Sequence, residues 1–216
     1  MEVHRFAAAF REAADGMGEH RVELCRLDTG IGDGDHGITV ERGFRAAAAA
    51  CNVRDNFSAL FAAIAQAMES AMGGAIGPLY AAFFAASAAA TEGKADVSGI
   101  ALSKALDAGV RAVAKAGDVK EGQKTVLDAM APWTRAMMLA VDAGADIGAA
   151  ALKGADGARA GAQSTNDMVA VKGRARYRGE RSVGQVDPGA WSFALFAQRL
   201  AAALGRSADE GGGVSP

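Results

Sequence analysis

At 216 residues the chain has the length of one domain, and half of its residues are hydrophobic, enough to bury a continuous core. Twenty-three basic and 25 acidic side chains leave a net charge of −2; without a basic run or interleaved aromatics, that balance argues against nucleic acid as the main partner. Cys25 and Cys51 have neither metal-ligand spacing nor a disulfide pattern, and Met1-Glu2-Val3-His4-Arg5 does not open a secretory leader, so buried thiols in the cytoplasm are expected.

In chain order the pattern is helix after helix, with glycine-bearing and acidic loops between and no sustained strand period. Glu2 to about Leu27 reads as a helical arm, interrupted or loosened near Gly16-Met17-Gly18. Ile38 to Asn52 is a second helix. Ser58 is expected to cap a third, which sets Leu60, Phe61, Ile64, Met68 and Met72 on one face. Gly73-Gly74 ends it, and a fourth runs from about Ala75 to Thr91. The uncharged stretch from Ser70 to Thr91 has the length of a membrane span, but Gly73-Gly74 and Gly77-Pro78 break it, so a buried core helix is expected and no membrane contact.

Ser98 opens a fifth helix, with Leu102, Leu106, Val110 and Val113 apolar and Lys104, Asp107, Arg111 and Lys115 on a solvated face; Gly117-Asp118 closes it. A sixth begins near Lys124-Thr125 and carries Leu127, Met130, Met137, Met138 and Val141, with Pro132 as a kink or as the true first turn. The seventh, from about Asp146 to Val169, is rich in alanine and glycine and allows close helix approach. An irregular run from Lys172 to Asp187 leads to Pro188, which suits the first turn of the last helix, anchored by Trp191, Phe193, Leu195 and Phe196. One domain over 1–206 is expected, with an irregular tail at 207–216. Eight helices with short connections imply antiparallel neighbours.

The stretch from Leu27 to Gly37 stands out. Asp28, Asp33, Asp35 and His36 lie among glycines at 30, 32, 34 and 37. Carboxylates so close repel one another unless a cation sits among them, and oxygen donors without thiolates favour a hard ion such as Mg²⁺. The glycines allow backbone N–H groups to converge on an anion, and the helix that follows points its positive end at the loop. Gly-Asp-Gly-Asp alone would be an ordinary turn, and an EF-hand register starting at Asp33 fails.

This stretch, followed by Arg42-Gly43-Phe44, resembles the signature of the nucleotide-binding L subunit of dihydroxyacetone kinases. Three further blocks agree in order: Gly73-Gly74-Ala75-Ile76-Gly77-Pro78, Gly122-Gln123-Lys124-Thr125-Val126-Leu127-Asp128, and Gly173 to Gly184 running into Asp187-Pro188-Gly189-Ala190. The resemblance implies an all-α, eight-helix antiparallel up-and-down barrel, with nucleotide and metals held by the loops at one end. It implies two Mg²⁺ ions on Asp28, Asp33 and Asp35, and ADP or ATP against His36, Gly37, Ile38, Thr39, Ala75, Ile76, Gly122, Ala131, Arg174, Asp187, Pro188 and Gly189.

The same resemblance implies a separate K-type subunit that binds the ketose, and either exchangeable ATP or a bound ADP recharged by a phosphotransferase-system protein; the residues do not choose between these. Related chains place a serine or threonine where Ala75-Ile76 stand here, so only backbone N–H donors remain at that turn. That departure favours an alternative, a regulatory nucleotide- or phosphate-binding module that docks a partner without transferring phosphate. Gly179-Glu180-Arg181-Ser182 is open to a local reading, in which a Glu–Arg pair holds the loop without touching a ligand.

Overall fold

The computed structural model describes residues 1–52 and 55–210. Its α-helices are α1 (Val3–Asp15), α2 (Arg21–Ile31), α3 (His36–Ala50), α4 (Phe57–Ala71), α5 (Ile76–Ala90), α6 (Gly99–Gly117), α7 (Leu127–Asp142), α8 (Ile147–Ser164) and α9 (Pro188–Glu210). Among the described residues there is no strand, only an isolated bridge between Glu2 and Asp96. The expected first arm is broken by a 3₁₀ turn at Gly16–His20, so α1 and α2 together form one stave and the staves number eight. The irregular tail expected from 207 starts inside α9, which continues to Glu210; residues 211–216 lie outside the described residues.

Consecutive staves pack side by side from α2/α3 round to α9, and α9 closes the ring against α1. The closing pair is antiparallel: Glu12 pairs with Arg206, Glu19 with Arg199 at 2.9 Å, and Glu23 accepts from Trp191 Nε1 at 2.7 Å, one series rising as the other falls. Inside runs a connected set of rings, Phe57, Phe61, Phe6, Phe10, Phe84, Phe196, Phe44 and Tyr80, with neighbouring centroids 4.6–6.4 Å apart. The helix faces read as apolar in α4 and α6 join this core, as do Leu127, Met130 and Met137 of α7 with residues of α8 and α9, whereas Val141 is buried outside it and Met138 is half-buried. No helix among the described residues is long and apolar enough to cross a membrane.

Local chemistry explains most boundaries. Ser98 and Asp146 cap α6 and α8, accepting from Ala101 N at 3.1 Å and Ala149 N at 2.9 Å, each worth about 1 kcal/mol. The α4 cap is Asn56, not Ser58: Asn56 is extended and takes Ala59 N at 2.9 Å, which starts the helix earlier. Pro132 lies within α7 and neither ends nor opens it. Gly157 and Gly161 of α8 face Pro132 and the Asp128 carbonyl so closely that a Cβ on either would collide, which accounts for the glycines of that helix.

An up-and-down ring places alternate connections at the same end. The four conspicuous blocks of sequence occupy such alternates: the α2–α3, α4–α5, α6–α7 and α8–α9 connections.

Candidate functional site

Asp28 belongs to the last turn of α2, and Asp33 and Asp35 to the loop that turns into α3. The Asp28 Oδ2 accepts from Gly34 N at 2.8 Å and His36 N at 3.3 Å, tying the end of one helix to the start of the next. This needs Gly34 in a left-handed conformation, φ 81°, and it needs Gly32 bare, because the Asp28 carboxylate lies where a side chain would go. One oxygen from each of Asp28, Asp33 and Asp35 then falls within 4.8 Å of the others. Three hard oxygen donors without a thiolate suit a divalent cation of the Mg²⁺ class, which keeps further positions for water and phosphate.

The electrostatics record the crowding. Desolvation and then the neighbouring Asp33 side chain push the Asp35 carboxyl above its ordinary range. Desolvation pushes Asp33 the same way, but the hydrogen bond from Asp35 and the Arg174 guanidinium outweigh it and hold Asp33 low. Arg174 pairs with Asp33 and lies 3.7 Å from Asp35. Burial lowers His36 below the usual imidazole value, so it is neutral near pH 7. Its Nε2 is 3.0 Å from Ser192 Oγ, which in turn donates to Gly189 O.

Gly37 is buried against Arg21 O, Ile38 is exposed at the loop, and Thr39 is buried with its N–H on Asp35 O at 3.0 Å. Ala75 precedes α5 without a side-chain cap, and Gly74 before it is left-handed at φ 68°. Gly122 gives its N–H to Asp128 Oδ1. Ala131 lines a cavity of about 510 Å³ between α6 and α7, together with Val119, Leu127, Glu121 and Arg135. Asp187 caps α9 through Ala190 N at 2.7 Å, with Pro188 and Gly189 as its first turn. Burial, opposed by the Ala190 N–H, pushes the Asp187 carboxyl up to about 7.

Two readings of the sequence change. Helix α7 does not begin at Lys124-Thr125: Lys124 is left-handed, φ 59°, and the buried Asp128 holds the turn by taking Gly122 N and, at 2.7 Å, Thr125 N. The Glu180–Arg181 pair of the local reading is not among the ion pairs of the described residues. Ser182 holds that loop instead, donating to Gly179 O at 2.6 Å and accepting from Ala170 N at 2.9 Å.

The run from Thr165 to Asp187 ties the α2–α3 loop to the α6–α7 connection. Lys172 reaches Asp118 at 3.0 Å, Arg174 reaches the acidic loop, and the Gln185 side chain packs on Gly30. Lys124, Gln185, Thr165 and Ser192 were not singled out from the sequence as site residues. The signal for Lys124 was its place in the Gly122–Asp128 block, two residues after a glycine; Ser192 carried none.

A family profile described as DAK2 domain matches residues 30–202. The chain belongs to the DAK2 domain family. As a DAK2 domain it is 38% identical over 181 residues to the ADP-binding subunit DhaL of a PEP-dependent dihydroxyacetone kinase of Listeria innocua, covering 82% of this chain and 85% of that one. To L-erythrulose 1-kinase of Mycolicibacterium smegmatis it is 36% identical over 192 residues, 87% of this DAK2 domain but 33% of the relative. The chain thus spans most of the DhaL subunit but about a third of the erythrulose kinase. Among solved structures, the dihydroxyacetone kinase of C. freundii in complex with AMP-PNP and Mg²⁺ superposes with a TM-score of 0.71 at 27% identity, covering 91% of this DAK2 domain and 33% of that chain. These relatives are kinases by name, and the all-α fold is common to the family.

Proposed function

We propose that this chain is a phosphotransferase subunit that presents Mg²⁺-bound ADP or ATP to a ketose held by a separate K-type partner, in the cytoplasm. The observation that carries this reading is the convergence of Asp28, Asp33 and Asp35 within 4.8 Å, at the start of α3 and under Arg174. Two Mg²⁺ ions there would offset the phosphate charge, changing the local balance from about −3 to about +1 before any N–H is counted. The chain's own groups then orient the nucleotide. N–H groups of Gly37 and Ile38 and of the turn at Ala75 and Ile76 would meet the phosphates, His36 would do so through its imidazole because its N–H is held by Asp28, and Arg174 would span metal loop and phosphate. The cavity beside Ala131 would take the nucleoside, and Gly122, Asp187, Pro188 and Gly189, which lie outside its lining, would meet the rest of the nucleotide. Phosphoryl transfer is mostly positioning and charge stabilisation, which such a set supplies without a covalent step on this chain. The similarity to DhaL subunits, one of them of a PTS-dependent dihydroxyacetone kinase, and to erythrulose kinases supports a small ketose as acceptor and either ATP or a phosphotransferase-system protein as phosphoryl source.

The test is to mix the chain with Mg²⁺, ATP or a phosphorylated phosphotransferase-system donor, a K-type subunit, and dihydroxyacetone or erythrulose. Phosphorylated ketose is the expected product, and none across several ketoses and both donors would sink the reading. One observation favours a second reading: the α5 N-terminus has no hydroxyl at Ala75-Ile76 to meet a phosphate. A regulatory module that binds Mg²⁺-nucleotide and docks a partner without transfer would give tight ADP binding and no product in that assay.

A further inference from the structure

Lys124 is only 1% exposed, in a left-handed backbone conformation that aims its side chain inward. Its ammonium lies 2.7 Å from Thr165 O, 2.8 Å from Ser182 O and 3.2 Å from Met168 O, and closest to Gln185 O. Among the described residues no carboxylate forms an ion pair with it. Four carbonyl dipoles around one positive charge is more than three N–H bonds can satisfy one to one. It is the kind of shell that carbonyl oxygens offer a bare monovalent cation in place of water.

The four carbonyls belong to the two ends of one loop, Thr165 and Met168 on one side and Ser182 and Gln185 on the other. Between them the chain carries Lys172 and Arg174 out to Asp118 and to the acidic loop. A single charge therefore closes the base of the loop and joins it to the Gly122–Asp128 turn. An apolar side chain of the same volume would fill the space but take the donor from the Ser182, Met168 and Gln185 carbonyls, leaving Thr165 O only the Met168 N–H at 3.2 Å.

We propose that the Lys124 ammonium acts as a built-in monovalent cation that positions the 169–183 loop, and through it Arg174, over the Asp33 and Asp35 carboxylates. Lys124 is then a positioning residue for the metal–nucleotide and not a ligand of it. This rests on the nucleotide-binding reading above.

The experiment uses Lys124→Ala, which leaves room for a free cation, and Lys124→Met, which fills it. Amide hydrogen exchange without nucleotide and calorimetric titration of Mg²⁺-ADP are measured in sodium, potassium, ammonium and methylammonium salts. In sodium, both variants should lose protection over 169–183 while α4 and α5 keep theirs, and Mg²⁺-ADP affinity should fall about tenfold. Ammonium or potassium should restore both properties in Lys124→Ala but not in Lys124→Met, and the wild type should be indifferent to the salt. If Lys124→Ala folds only in ammonium or potassium, that also supports the proposal. Wild-type loop protection in the alanine variant, or the same loss in every salt, would overturn it, as would a chain unfolded in all of them. Failure of the wild type to bind Mg²⁺-ADP would instead sink the nucleotide reading, and the exchange data would still decide the role of Lys124.

Discussion

The loop from Asp28 to Gly37 and the turn from Gly122 to Asp128 both carry glycines and charges, and both lie at the site end of the barrel. In the first, three carboxylates converge, Asp33 and Asp35 are exposed, and Arg174 is the cation paired with them. In the second, Asp128 and Lys124 are buried and every charged group has its partner inside the chain: two N–H donors for the carboxylate, four carbonyls for the ammonium. Charges satisfied internally hold a shape, whereas charges left crowded and exposed are arranged for something that arrives from outside. Sequence composition does not distinguish the two.

Substitution of the exposed carboxylates should have the largest effect on binding and the smallest on folding. Asp33→Asn or Asp35→Asn is expected to abolish Mg²⁺-dependent nucleotide binding in a calorimetric titration, with thermal stability of the free chain kept or raised in Asp35→Asn because repulsion is relieved, and little changed in Asp33→Asn, which also loses the exposed pair with Arg174. Unchanged ADP affinity in both variants would erase the distinction between the loops.

A second expectation concerns pH. The Asp187 carboxyl titrates near 7 when folded, against an ordinary value of 3.8, so the folded chain holds its proton over a range in which the unfolded chain has lost it. Its contribution is therefore complete below the ordinary value and is lost as pH rises through about 7, with a slope approaching about 1.4 kcal/mol per pH unit between those limits. Asp187→Asn should flatten the stability profile across that window; denaturant melts at several pH values that superpose on the wild type would refute the burial argument.

The third separates the loops by ligand. At about one hundred times its dissociation constant, ADP with Mg²⁺ should add roughly 2.7 kcal/mol, a rise of several degrees in melting temperature, and chelator should remove it. Equal shifts with and without chelator would place the nucleotide away from Asp28, Asp33 and Asp35. The smallest effect is on the other side of the comparison. Asp128→Ala strands two N–H groups and should cost about 2 kcal/mol of folding stability, while Mg²⁺ affinity at the acidic loop stays at the wild-type value.

Much of this was legible because it is local. Ser98 and Asp118 bound α6 by contacts within a few residues, and Pro188 opens α9 from its own ring geometry. Asp28, Asp33 and Asp35 were readable for the same reason: eight positions of chain contain the cluster. Asn56 competed with Ser58 two residues away, and propensity alone ranks them too closely to choose. Lys124 was hidden because its acceptors lie 41, 44, 58 and 61 residues downstream, in a run without periodicity. The pairing of His36 with Ser192 spans 156 residues and was equally out of reach.

The antiparallel closure of α1 on α9 also fixes where the chain can be held. Met1 donates to Val97 O at 2.7 Å, in the connection between α5 and α6, and Glu210 ends a helix that descends from the site. Both lie at the blunt face of the barrel, opposite the acidic loop. A tether fastened to either would lie behind the domain, leaving the acidic loop unobstructed. The ends of this geometry are compatible with both kinds of relative, a DhaL subunit matched over 85% of its length and an L-erythrulose 1-kinase matched over 33%.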